Sequence, residues 1–166
     1  MSNCFIQACS AAALAFALLL SSHTPGAAEG ARPAVSASGV IATRSAYSLD
    51  ETVTRLKQDI AAKGITFFQE IDQSALAAKA RTSLKPSVLL VFGNAPLGTQ
   101  FITANPQAGL DWPVRMLVYR DDAGTVWVAY TDFGWIARRH GVTTRDAQFH
   151  MATEVAASIV SSVGLR

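Results

Sequence analysis

The sequence predicts an α+β domain in which an antiparallel sheet of about five strands carries helices on one face. Three observations predict it. Strands and helices follow one another as β-α-β-(α)-β-(α)-β-β-α-α, joined by a hairpin and short helical links. The segments 113–120 and 125–131 flank Asp121-Asp122-Ala123-Gly124, whose turn chemistry marks a hairpin. Two helical segments carry apolar residues at intervals of three and four, so each presents one face to a core. A sheet covered by helices on one side leaves its other face open to a partner.

Residues 40–47, VIATRSAY, read as the first strand. Ser48 and Glu51 have capping-box spacing and open a helix, along which Leu49, Val53, Leu56 and Ile60 form the apolar face. Lys63-Gly64 ends it, since Gly takes the left-handed cap without strain. The β-rich run 65–71 is the second strand. Asp72 to Ser74 then turn the chain into a short Ala-rich helix, about 75–83, which Lys85-Pro86 breaks. The continuous apolar run 87–92 is a central strand. Asn94 caps a short helix across Leu97, Phe101 and Ile102, and Asn105-Pro106 stops it. After the hairpin, Asp132 caps a helix over FGWIARRH that Gly141 ends. Thr144 opens a last helix to about Val163, with Phe149, Ala152, Ala156, Ile159 and Val163 on its apolar face.

In front of this domain, Cys9 to Leu20 read CSAAALAFALLL, an uncharged run of 12 residues. A bilayer span needs ~20. The run fits the apolar region of a signal peptide, with Gly26 and Ala28 placed for cleavage after Ala28. The alternative is an uncleaved N-terminal membrane anchor, because the segment before the run has no Lys or Arg. The expected organisation is a signal at 1–28, a flexible leader at 29–39 and one domain at 40–166. Export places the protein in the periplasm or outside the cell, with no membrane attachment after cleavage. Cys4 and Cys9 both fall in the signal, so the mature chain has no thiol chemistry and no disulfide. All 14 basic and 12 acidic residues fall after residue 28, giving a mature charge of +2. They are mixed rather than clustered, which argues against nucleic acid as a partner.

At Phe92 to Pro96 the chain reads FGNAP, followed by LGTQFITANPQAGLDWPVRMLVYRDDAG and VWVAYTD. These residues resemble the bacterial domain of unknown function 302 family, over about Ala46 to His140. The resemblance implies a TATA-box-binding-protein-like α+β fold with a curved antiparallel sheet. It implies no activity, and fold analogy does not supply DNA binding. One position departs from the family. Its members often carry Asp-His before the Ala-rich helix, whereas this chain has Asp72-Gln73.

Few residues propose chemistry. His140 and His150 show no metal-ligand spacing, so no metal site is expected. No cofactor is expected either, as G-x-G-x-x-G and phosphate-loop patterns are absent, and no G-x-S-x-G elbow offers a nucleophile. The catalytic candidates are Asp111, Tyr130 and His140 around a cleft near Gly93-Asn94. If Asp111 is buried beside Trp112, desolvation raises its pKa. The plainer expectation is that Asp111 bonds backbone amides of a turn. The ligand-binding candidates are Asn94, Trp112, Trp127 and Trp135. Val126, Val128 and Tyr130 share one face of their strand while Trp127 and Ala129 share the other, so both faces are partly apolar. The reading favoured over a hydrolase-like or metal-assisted enzyme is a non-catalytic module. It binds a small apolar ligand or another protein through its sheet face, as a homodimer.

Overall fold

The computed structural model describes residues 34–165. The expected signal at 1–28 and the start of the leader lie outside the described residues. Five strands form one open sheet: β1 (Val40–Arg44), β2 (Thr66–Asp72), β3 (Ser87–Gly93), β4 (Val114–Arg120) and β5 (Val126–Thr131). Their order is β1-β5-β4-β3-β2, and every pairing is antiparallel. Among the described residues the helices are α1 (Leu49–Ala62), α2 (Gln73–Lys79), α3 (Ala95–Ala104), α4 (Phe133–Arg139) and α5 (Asp146–Ser161). A 3₁₀ turn, Pro106–Asp111, links α3 to β4. The α+β class and the antiparallel sheet are as the sequence predicts.

Local chemistry sets most boundaries. Ser48 caps α1 by accepting from the Glu51 amide at 3.3 Å. The Glu51 carboxylate turns to Arg55, at 2.8 and 2.9 Å. Gly64 follows α1 with a φ of +66°. Asn94 and Asp132 cap α3 and α4, each accepting from the amide three residues on. In the hairpin, Asp121 accepts from the Thr125 amide at 2.8 Å and Gly124 has a φ of +82°.

Three boundaries differ from expectation. β1 stops at Arg44 because Ser45 turns inward, its hydroxyl 2.6 Å from that of buried Thr52. α2 starts directly at Gln73, with Asp72 as its cap, and ends before Arg81, which adopts a φ of +56°. α5 is opened by Arg145 with a φ of +74° and no side-chain cap, not by Thr144. Within the stretch read as leader, Ser36 and Gly39 close a turn, and the Gly39 carbonyl accepts from the Asp132 amide at 2.8 Å.

One face of the sheet carries Ile41, Leu90, Met116, Val118 and Val128, all buried. Leu56 and Ile60 of α1 and Ile159 of α5 lie in the same core and are fully buried. Removing each such side chain from water contributes on the order of 2 kcal/mol before entropy is counted. Val163, just past α5, is fully buried as well. The opposite face keeps half-buried Leu89, Val91, Leu117, Tyr119 and Trp127.

Candidate functional site

The 3₁₀ turn and α4 bring the charged candidates together. Asn105 opens the turn, accepting from the Gln107 amide at 2.9 Å and donating from Nδ2 to the His140 carbonyl at 2.7 Å. The turn ends on Asp111, whose side chain is 4% exposed. α4 ends on Arg139 and is capped by His140, so both reach back to Asp111. His140 Nε2 lies 2.6 Å from Asp111 Oδ2. Arg139 Nη1 donates to both carboxylate oxygens at 3.2 Å, and Arg115 Nη2 of β4 donates to Oδ1 at 3.2 Å.

This arrangement differs from the plainer expectation for Asp111, that it bonds the backbone amides of a turn. It is buried, yet side chains rather than backbone amides satisfy it. A buried carboxylate is tolerated when cations and hydrogen bonds surround it. Both of its oxygens are occupied, Oδ1 by Arg115 and Arg139 and Oδ2 by Arg139 and His140. The cluster ties the end of the 3₁₀ turn, the start of β4 and the end of α4 into one clamp. Tyr130, the third catalytic candidate, is buried in the helix-covered core, where loss of solvent pushes its hydroxyl pKa up. Among the described residues it makes no hydrogen bond to Asp111 or His140.

The ligand-binding candidates separate into two regions. Asn94 and Trp112 line one apolar cavity of about 40 Å³ between α3, α5 and the ends of β3 and β4. Asp111 and His140 are not on its wall. The Trp112 indole lies across Gly93 and Gly98, where a side chain at Gly98 would overlap it. Its Nε1 is buried and has no protein partner. Trp127 projects from the face of β5 opposite the helices, and its Nε1 donates to Asp121 at 2.8 Å. That bond holds the Asp121 carboxyl below its ordinary pKa. Trp135 covers Gly39, where no Cβ fits, and lies under the Arg139 guanidinium at 5.5 Å.

Sequence reasoning passed over Arg115, Arg139 and Gly98. Arg139 stands beside Arg138 with no spacing that singles it out. Arg115 stands four residues after Asp111, but the spacing crosses a turn-to-strand junction and so follows no helical rule. Gly98 inside a helix looks like a simple propensity cost.

At Gln73 the side-chain Oε1 accepts from the Ser87 hydroxyl at 2.8 Å. The amide therefore ties α2 to the first residue of β3. Among the described residues, no three His, Asp or Glu side chains are grouped to hold a metal ion.

An open five-stranded antiparallel sheet with helices on one face defines the class of this domain. The chain belongs to the family described as Domain of unknown function DUF302, whose profile matches residues 41–162. A crystal structure of an uncharacterized conserved DUF302 protein from Bacillus stearothermophilus has the same fold. It superposes with a TM-score of 0.62 at 15% identity, covering 75% of this chain and 95% of that one. The chain is also similar, at 34% identity over 105 residues, to a protein of Brucella suis named fluoride-specific ion channel FluC 1. The same identity and length hold for a protein of Brucella melitensis named FluC 2. The match covers 63% of this chain but only 41% and 39% of those proteins. Among the described residues, no helix is long and apolar enough to cross a membrane.

Proposed function

We propose that this chain is an exported, non-catalytic binding module that works as a homodimer through the open face of its sheet. One observation carries the reading. The register aligns Ile71, Leu89, Leu117, Ala129 and Ala42 across all five strands, so an apolar row crosses the face away from α1 and α5 from edge to edge. Tyr119 and Trp127 pair in the next row and widen it. A continuous apolar patch of this kind marks a contact surface. A second copy suits it because a two-fold axis lays a uniform apolar row on itself. The saturated Asp111 cluster supports a role without catalysis.

The test is sedimentation equilibrium of residues 29–166. A dimer is expected, and Leu117→Lys is expected to give a folded monomer with an unchanged circular-dichroism spectrum. A wild type that stays monomeric at high micromolar concentration overturns the reading. Export is tested separately by the mass of the chain recovered from the periplasm, which should lack residues 1–28.

The Brucella relatives favour a second reading. Proteins named as ion channels match this chain over well under half their length. That supports a domain of this kind working beside a membrane ion channel. Loss of this protein should then alter fluoride tolerance of the cell, and unchanged tolerance would remove that reading.

A further inference from the structure

We infer that the two copies stack with their strands running in opposite directions across the interface, which seats Arg115 of each copy on the Tyr119 ring of the other. This geometry rests on the open-face dimer proposed above, and Arg115 is the residue that selects it.

The register fixes the centre of the face. β4 is the third of five strands, and Leu117 is the middle residue of β4. Leu89 and Ala129 flank it on the neighbouring strands. A two-fold axis that lies between two stacked sheets and passes over Leu117 has two simple directions. Running along the strands, it keeps strand direction and puts Arg115 against Arg115, Tyr119 against Tyr119 and Ala42 of β1 over Ile71 of β2. Running across the strands, it reverses strand direction and follows the apolar row. Each residue of the row then lies over its own copy, and the two ends of β4 change places. Arg115 meets Tyr119 of the partner subunit.

Charge decides between the two. Arg115 and Tyr119 stand two residues either side of Leu117 on the open face, since the intervening Met116 and Val118 are buried in the core. The Arg115 side chain is half exposed. Its Nη2 donates to Asp111 Oδ1 at 3.2 Å and to the Leu110 carbonyl at 3.1 Å, which holds the guanidinium at one end of β4. At the other end, Trp127 pairs with Tyr119 across the strands and donates to the Asp121 carboxylate. Strands in the same direction would press Arg115 on Arg115 and bring Asp121 toward Asp121, and like charges set against each other disfavour an interface. Opposed strands bring each cationic end to the aromatic, acidic end of the other copy, where a guanidinium is attracted to a ring face. Arg44, the other arginine on this face, pairs with Trp127 at the corner of β1 and would meet Val40 of the partner subunit. Stacked sheets turn by about 30° relative to each other. Arg115 and Tyr119 lie about 7 Å from the axis, so that turn moves them by about 3.5 Å, less than one strand spacing of ~4.8 Å.

The experiment uses residues 29–166, which contain no Cys, and a short bismaleimide that links thiols across the interface. Leu117→Cys should link to itself in either orientation and so reports the dimer alone. Ala42→Cys should link to itself only with opposed strands. With strands in the same direction its two copies lie four strand spacings, about 19 Å, apart. Ala42→Cys mixed with Ile71→Cys should give no mixed link. Adding Leu117→Lys to Ala42→Cys should abolish its link, which separates docking from collision. A double-mutant cycle of Arg115→Leu and Tyr119→Leu, read by sedimentation equilibrium, should show coupling on the order of tenfold in the dimer Kd, because the contact occurs twice per dimer.

Linking of Leu117→Cys without self-linking of Ala42→Cys would overturn this geometry and leave the dimer standing. A mixed link between residues 42 and 71, or additive effects of Arg115→Leu and Tyr119→Leu, would overturn it in the same way. Leu117→Cys that does not link would remove the dimer and this geometry together. The links leave Arg115 and Tyr119 intact, so they decide the matter even where Arg115→Leu does not fold.

Discussion

His140 Nε2 and Asp111 Oδ2 lie 2.6 Å apart with both side chains almost wholly buried, joining the cap of α4 to the end of the 3₁₀ turn. Removing the carboxylate leaves a buried imidazole and two guanidinium groups without their common acceptor. Asp111→Ala should therefore lower stability by about 3 kcal/mol, as for other broken buried pairs. Arg115→Ala should cost less than about 1 kcal/mol, because that side chain is half exposed. Urea unfolding of the two variants checks the order, and equal losses would show that Asp111 is not the hub.

Gly98→Ala reverses the usual sign of a helix substitution. Propensity alone favours Ala by about 1 kcal/mol. A Cβ at Gly98 overlaps the Trp112 indole, which must then leave its seat. We expect a net loss of about 2 kcal/mol, typical of overpacking. Trp emission should move toward longer wavelength. A stabilised Gly98→Ala protein with unchanged emission would contradict the seating of the indole.

Asp121 gives the protein a sign-specific acid response. The Trp127 indole bond, followed by the Thr125 amide, lowers its pKa in the folded chain below the ordinary 3.8. A lowered folded pKa contributes stability that is present above the unfolded value and lost as pH falls through the folded one. From about pH 5 to about pH 2, wild type should lose more stability than Asp121→Asn. Urea midpoints across that range measure the difference. Parallel curves for the two proteins would mean that the bond does not favour the ionised carboxylate.

Thr52 anchors the turn between β1 and α1. Its hydroxyl donates to the Ser48 carbonyl at 2.7 Å, so its one proton is committed and the Ser45 hydroxyl donates to it. Thr52→Val keeps the shape and strands the buried Ser45 proton. A loss of about 1.5 kcal/mol is expected. Thermal unfolding checks it, and a neutral result would show that Ser45 finds the Val163 carbonyl, 3.4 Å away, as readily.

Much of this protein is legible without coordinates. Ser48, Asn94 and Asp132 cap helices as their positions predict, and Asp121 to Gly124 make the turn. Leu56, Ile60 and Ile159 fall in the core as their periodicity predicts. These signals act within a few residues along the chain, where backbone and side chain meet whatever the rest of the molecule does. The FGNAP and LDWP stretches likewise carried the family from residue order alone.

The site is different. Strand order places β1 beside β5, and those partners lie far apart in sequence. Asp111 meets Arg139 and His140 across 28 and 29 residues, and Trp112 rests on a glycine of the preceding helix. The apolar row on the open face exists only once five separate strands are in register. Sequence alone determined the local elements and which faces are apolar, because those follow from short-range sterics and hydrogen bonding. The tertiary structure decided which charges neutralise one another and where a donor remains unpaired, because burial and pairing depend on chain segments that only folding brings together.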